Sequence, residues 1–337
     1  MGLCHVYGKT FMNVFDAVDR QEAIEAKYSR KHIDKRIKDE IICNPDMQAK
    51  ILQGVQLLEE WLNGQYYDSK MARLYQVAQM DLHDLVMKMF VGIAYYRRPE
   101  LYTSVTSQLA GRLGLSDKLE AITTVAEMVA VLCMTDAFDI GKESKYASLK
   151  LMSCIPLSED LLHYIEHSDY LPPMVCMPNE LRSNRDSGYL SHKDSLILGS
   201  GNHHEGDICL DVLNKMNRVK LKLDTQFLST IEEEPSELTL ECMKENALKK
   251  GVIISDQEAA DRLRLAKENW SSFKRKSYHF YSLINNQGNE FYLTHKYDKR
   301  GRAYAQGYHI STMGSSFKKA MLELAYEEVV EGVPVSV

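Results

Sequence analysis

Apolar positions in the first part of the chain recur mostly at helical spacing. From about Asp16 to Leu62, Ile24, Ile33, Ile37 and Ile41 fall on what would be one stripe, and charge dominates Arg20 to Glu40. Asn44-Pro45-Asp46 interrupts the pattern. Asp46 is expected to cap a second helix carrying Ile51, Val55, Leu58 and Trp61, which Asn63-Gly64 ends. Residues 70–150 read as consecutive helices. Leu82, Leu85, Val86, Met89, Phe90, Ile93 and Ala94 form a wide apolar face that stops at Arg97-Arg98-Pro99. Leu109 to Leu119 and Ala121 to Phe138 continue the series. The second of these is nearly all apolar, as suits a bundle interior, with Met128 and Met134 expected as core filler.

From Pro156 the pattern changes. Tyr170-Leu171-Pro172-Pro173-Met174-Val175-Cys176-Met177-Pro178 sets a short apolar, strand-like run between prolines. Gly188-Tyr189-Leu190 and Ser195 to Gly199 are expected as short β segments. Asp207 to Phe227 reads as helix again, and an acidic linker, Glu232 to Glu237, follows. Asp256 opens a long helix running through Trp270, Phe273 and Tyr278, with a turn expected over Ser282 to Gly288. Glu290 to Thr294 is aromatic and β-prone, and Ser316 to Val330 reads as an amphipathic helix. The expected class is mainly α with small β elements.

Composition is that of an ordinary globular protein, 45% hydrophobic and 26% charged over 337 residues. The net charge of −6 excludes a global basic signature, so a nucleic-acid surface would have to be a local patch. The basic cluster Lys27, Arg30, Lys31, Lys35, Arg36 and Lys38 alternates with Glu22, Glu25, Asp34, Asp39 and Glu40, and a solvated helix face is expected there. Seven scattered cysteines without a CxxC pair point to reduced thiols rather than disulfides or a zinc site. No run of 18 apolar residues exists and the N-terminus does not resemble a signal peptide, so neither a membrane span nor a leader is expected.

Candidate chemistry is sparse. His203-His204-Glu205 invites a metal assignment, but adjacent histidines point different ways on any regular element and no third ligand follows at a helical step. A glycine-rich loop with solvent-facing imidazoles is expected instead. The segment Tyr297-Asp298-Lys299-Arg300-Gly301-Arg302-Ala303-Tyr304-Ala305 is more unusual. Arginine forks pair bidentately with phosphate, a glycine between them permits close backbone approach, and Tyr297 and Tyr304 could pack against a sugar or base. On spacing alone, a solvated basic turn at a strand end remains the plainer reading. Lys274, Arg275 and Lys276 form a second basic cluster on the long helix, where they also suit its C-terminal dipole.

In order along the chain, these segments resemble one family. Asp298-Lys299-Arg300-Gly301-Arg302 resembles the Asp-x-x-Gly-Arg motif of the single-subunit, phage-type RNA polymerases. Met313-Gly314-x-x-x-Lys318-x-x-x-Leu322-x-Leu324-Ala325 is similar to that family's next helix. Pro172-Pro173-Met174-Val175, Gly188-Tyr189, Val212-Leu213-Asn214 and Leu221-Lys222-Leu223-Asp224 resemble the stretch before its thumb. Lys299 stands where that motif often carries an aromatic residue. The family's two magnesium-binding palm aspartates, and the lysine and tyrosine of its fingers helix, have no counterpart in the chain.

The resemblance therefore implies the smaller, N-terminal subunit of the heterodimeric polymerase of N-four-like bacteriophages. A larger partner would supply palm, fingers and the aspartates that ligate Mg, leaving no catalytic or metal-ligating residue expected here. Its implied division is a helical N-terminal domain at 1–165, a β-containing segment at 166–228, a thumb-like region at 229–280 and the start of a palm at 281–337. Arg300 and Arg302 would grip template or hybrid phosphates, Gly301 would permit the approach, Asp298 would orient the arginines and Tyr304 would pack against the nucleic acid. Lys274, Arg275 and Lys276 would contact the backbone. The implied partners are the catalytic subunit, template DNA and RNA product, and a phage single-stranded-DNA recruitment factor, with no membrane; the implied location is the cytoplasm of the infected bacterial host. An apolar surface around 317–337 would be covered by the partner. The alternatives are a non-catalytic single-strand-binding accessory protein and a structural scaffold.

Overall fold

The computed structural model of the chain describes residues 4–113, 117–142, 147–191, 193–199, 201–231 and 235–326. It is mainly α with small antiparallel sheets, the expected class. Among the described residues no helix is long and apolar enough to cross a membrane, and Cys43, Cys133, Cys154, Cys176, Cys209 and Cys242 are free thiols. The chain divides into two units, Lys27–Asp169 and the combination of Met1–Ala26 with Tyr170–Val337. Most of helix α1 (Cys4–Tyr28) thus groups with the later residues rather than with the helical unit that follows it.

The unit Lys27–Asp169 contains α2 (Arg30–Cys43), α3 (Pro45–Leu62), α4 (Asp68–Ala78), α5 (Leu82–Ile93), β1 (Glu100–Leu101), α6 (Tyr102–Leu113), α7 (Lys118–Leu132), β2 (Phe138–Gly141), β3 (Lys150–Ser153) and α8 (Glu159–Glu166). The isoleucine stripe is real: Ile33, Ile37 and Ile41 are fully buried. The cap between α2 and α3 is not Asp46. Asn44 Oδ1 accepts from the Asp46 and Met47 amides at 3.0 and 3.3 Å, and Pro45 takes the first helical position, where a missing N–H costs nothing. α5 is buried on nearly every face and forms the centre of this unit.

Helical spacing fails around Met134. α7 ends at Leu132, and after a 3-10 turn Asp136 adopts φ +54°. Met134 is therefore 66% exposed rather than core filler, whereas Met128 is buried as expected. Phe138, expected at a helix end, starts β2 instead. β3 pairs antiparallel with both β1 and β2, and the Phe138 ring meets Phe90 of α5 edge-on at 6.4 Å.

The second unit continues with α9 (Leu210–Asn217), β4 (Lys220–Leu223), α10 (Thr225–Ser229), α11 (Leu240–Leu248), α12 (Asp256–Asn286), β5 (Phe291–Tyr292), β6 (His295–Tyr297), β7 (Ala303–Ala305), α13 (Ser316–Ala320) and β8 (Leu322–Leu324). The helix expected over Asp207 to Phe227 is broken by β4. Lys220-Leu221-Lys222-Leu223 alternates with period two, burying both leucines on one face of a strand that pairs with β5 on one side and β8 on the other. The same pairing overrides the helix expected over Ser316 to Val330: α13 is five residues long and Leu322 to Leu324 become the partner strand. Leu324 and Tyr326 are 56% and 64% exposed, and residues 327–337, which carried the rest of the expected helix and apolar surface, lie outside the described residues.

Among the described residues of 170–199 there is no regular strand. Met174 makes an isolated bridge to Tyr292 and Ile197 another to Tyr297. A buried carboxylate on α1 is bonded to this stretch. Glu25, expected on a solvated face, is fully buried and accepts from the Leu190 and Ser191 amides at 2.9 and 2.7 Å. Gln21 beside it donates to Glu25 and accepts from the Val175 amide, so all these buried groups are paired.

α12 is 31 residues long, about 46 Å at roughly 1.5 Å per residue. Ser255 and Glu258 close a reciprocal capping box at its start. It runs beyond Tyr278 to Asn286, through most of the segment expected as a turn, and the turn is made by Gly288 and Asn289 at positive φ. Its buried residues lie near its two ends. Ala259 packs with Ala247 and Ile254 beneath α11, and Ser277, Phe280, Tyr281 and Ile284 pack at the other end; none between Ala259 and Ser277 is buried. The acidic residues Glu232 to Glu234 lie outside the described residues. Phe138→Ala should cost the helical unit about 3–5 kcal/mol, read as a lowered urea midpoint, because it opens a cavity against Phe90.

Candidate nucleic-acid interface

β6 and β7 form a two-stranded antiparallel ribbon, with His295 opposite Ala305, Lys296 opposite Tyr304 and Tyr297 opposite Ala303. The five residues between them, Asp298 to Arg302, make the turn. Gly301 adopts φ +79°, a left-handed conformation that glycine takes without strain. The turn closes through the Asp298 amide donating to the Arg302 carbonyl at 2.9 Å and the Gly301 amide to the Asp298 carbonyl at 3.0 Å.

The Asp298 carboxylate is fully occupied. Oδ1 accepts from the Arg300 and Arg302 amides at 2.8 and 3.0 Å. Oδ2 accepts from Arg302 Nε at 2.7 Å and Nη2 at 2.6 Å, with Arg300 Nε at 3.5 Å. The Arg302 amide, and then its guanidinium, hold this carboxyl below the ordinary range against partial desolvation. Both oxygens thus accept from the turn's amides and from Arg302. Both guanidinium groups keep an outward face: the side chains of Arg300 and Arg302 are 74% and 52% exposed, and Asp298 only 17%.

Paired residues and i, i+2 neighbours share one face of a ribbon, so Lys296, Tyr304 and Arg302 lie together. The Arg302 guanidinium sits 5.5 Å from the half-buried Tyr304 ring. Tyr297 is on the opposite face and is not available to a ligand. It is buried among Leu181, Leu196, Ile197 and Leu213, and its hydroxyl donates to the Cys209 carbonyl at 3.0 Å.

Lys274, Arg275 and Lys276 lie on α12. Consecutive helical positions point about 100° apart, so the three do not form one patch. Arg275 is exposed; Lys274 and Lys276 are half-buried, with Lys274 Nζ 5.6 Å from the Tyr278 ring. His203, expected to face solvent, is largely covered: Nδ1 lies 3.3 Å from Ser195 Oγ and Nε2 3.3 Å from Glu205.

Two lysines have roles that residue type alone did not reveal. Lys318 Nζ donates to the Tyr308 carbonyl at 2.6 Å and lies 3.7 Å from that ring and 5.4 Å from Phe273 on α12, and burial lowers its pKa. Gly314 at φ +119° passes so close that a Cβ there would be 3.1 Å from Lys318 Cδ. The Gly-x-x-x-Lys spacing thus ties the segment after β7 to α12. Lys296 is buried and pairs with Asp194 at 2.5 Å, a partner 102 residues away that no local pattern signals.

No protein-family model matches the chain, and no curated protein matches it.

Two outcomes test this geometry. Gly301→Ala should destabilise the turn by about 1–2 kcal/mol through left-handed strain, read by thermal unfolding. Buried His295, its Nδ1 2.9 Å from Asn217 Oδ1, has its pKa lowered to about 4 by desolvation. The unfolded chain takes up that proton near pH 6.5, so its contribution is complete above that value and is lost progressively as pH falls toward 4. The loss amounts to about 3.5 kcal/mol at about 1.4 kcal/mol per pH unit, and His295→Gln should flatten that slope in urea titrations.

Proposed function

We propose that this chain binds the template strand and RNA–DNA hybrid as one subunit of a heterodimeric, phage-type DNA-directed RNA polymerase. One observation carries the reading: the Asp298 carboxylate locks Arg302 through Nε and Nη2 and steers Arg300 at the tip of a ribbon, while both guanidinium groups remain more than half exposed. A solvated basic loop needs no such scaffold. Guanidinium groups held in place lose little entropy on meeting a phosphate, which is what a grip on a moving strand requires.

In this reading Arg300 and Arg302 hold phosphates of the hybrid or template, Gly301 allows the backbone to approach, and Tyr304 packs against the strand beside Arg302. The long α12, based beside Lys318 and capped by a separate small cluster under α11, supports the thumb-like role. Arg275 and its neighbours make looser backbone contacts. Magnesium ions would be held by aspartates of the partner subunit and would supply the two-metal chemistry of nucleotidyl transfer. The setting proposed is the cytoplasm of an infected bacterium, with a single-stranded-DNA recruitment factor as a further partner.

The test is RNA synthesis on a single-stranded template by this chain, by a partner chain carrying the two palm aspartates, and by their mixture. RNA is expected from the mixture alone; synthesis by either chain alone at the mixture's rate overturns the reading. In the mixture, Arg302→Ala should lower elongation by about tenfold or more without separating the subunits on gel filtration. Unchanged elongation would reduce the turn to a structural element.

A further inference from the structure

A cavity of about 870 Å³ opens beside the ribbon, lined by Arg185, Lys193, Asp194, Ser195, Asn202, His203 and Lys296, with Ile197, Leu198, Gly199 and Gly201 completing the wall. Its size is that of a small-molecule site, and three cations line it against the single carboxylate of Asp194. Lys296 comes from β6, buried and held by Asp194, with Tyr304 as its cross-strand neighbour and Arg302 on the same face beyond it. The cavity and the arginine turn are thus joined by one strand.

The two rim cations are weakly committed. Arg185 lies 3.6 Å from Glu205 and Lys193 3.7 Å from Asp186, and the side chains of Arg185, Glu205 and Lys193 are 67%, 87% and 82% exposed. Exposed pairs at such distances are worth little, so a phosphate can displace them. On the wall, Ile197 and Leu198 offer apolar surface beside the His203 ring and the Asn202 amide. Cations at the mouth with an apolar wall and a few polar groups suit a nucleotide better than a free inorganic anion.

We propose that this cavity receives one nucleotide of a single-stranded nucleic acid, with its phosphate held by Arg185 and Lys193 at the rim and Lys296 at the floor. The proposal rests on the reading of the Asp298–Arg302 turn as a nucleic-acid grip, and it adds a second contact on the same strand. A strand crossing Arg302 and Tyr304 would continue along the ribbon face toward Lys296.

The experiment is fluorescence anisotropy of a labelled oligothymidylate of about a dozen nucleotides with the full chain, from about 50 to 200 mM salt. Arg185→Ala/Lys193→Ala should weaken binding about tenfold or more and reduce the slope of log affinity against log salt by about 0.7, the value for one phosphate contact on a single strand. Arg182→Ala, which removes an exposed cation outside the cavity, should change neither. Equal losses from Arg182→Ala and the double variant would overturn the cavity as a specific site. Unchanged binding by the double variant, with Arg302→Ala weakened, would overturn the cavity and leave the turn standing. No binding by the unaltered chain would overturn both.

Discussion

The ribbon turn depends on one carboxylate. Asp298 receives two amides on one oxygen and a guanidinium on the other, so it sets the path of the turn and the direction of its arginine with the same group. Removing it would leave two amides without their acceptor as well as a freed arginine, and the ribbon tip would lose shape and charge placement together. The hydrogen bonds around it are charge-assisted and geometrically redundant, which keeps such a tip ordered despite its exposure. Beneath it, Tyr297 anchors the ribbon in a small core with Leu181, Leu196 and Leu213. A ribbon rooted on one face and basic on the other is a suitable platform for a polyanion.

Much of the helical unit was legible because helical periodicity there coincides with burial. The isoleucines of α2 and the continuous apolar surface of α5 have no competing pattern, and both end up in the core. The Asp298 turn was legible for a different reason: its residues are adjacent, so the geometry that joins them is local. The glycine that the turn needs stands within the motif itself.

What was not legible depended on distant partners. Leu322-Glu323-Leu324 is too short to show its period, and it becomes a strand only because Leu221 to Leu223 lies alongside. Glu25 sits in a charged run whose neighbours are solvated, and nothing local distinguishes it from them; its burial follows from amides more than 160 residues away. Tyr297 and Tyr304 look alike as flanks of a basic turn, yet strand alternation sends them to opposite faces and only one is free to meet a ligand. Lys296 has no local signal beside the more conspicuous arginines, because its partner Asp194 approaches only in the folded chain.

The spacing of buried residues along α12 has a mechanical consequence. Between Ala259 and Phe273, where the ring packs on Tyr308 and His309, no side chain of the helix is buried, so the α11 tip is carried on a span of about 21 Å at roughly 1.5 Å per residue. A bend of about 10° at the base, within what long helices accommodate by slight lengthening of solvent-side hydrogen bonds, would sweep that tip through about 4 Å. The root cannot share this freedom, because Ser277 hydrogen-bonds to His309 and Phe280 stacks on the same ring. Such a bend would move the tip relative to the root without any element having to unfold.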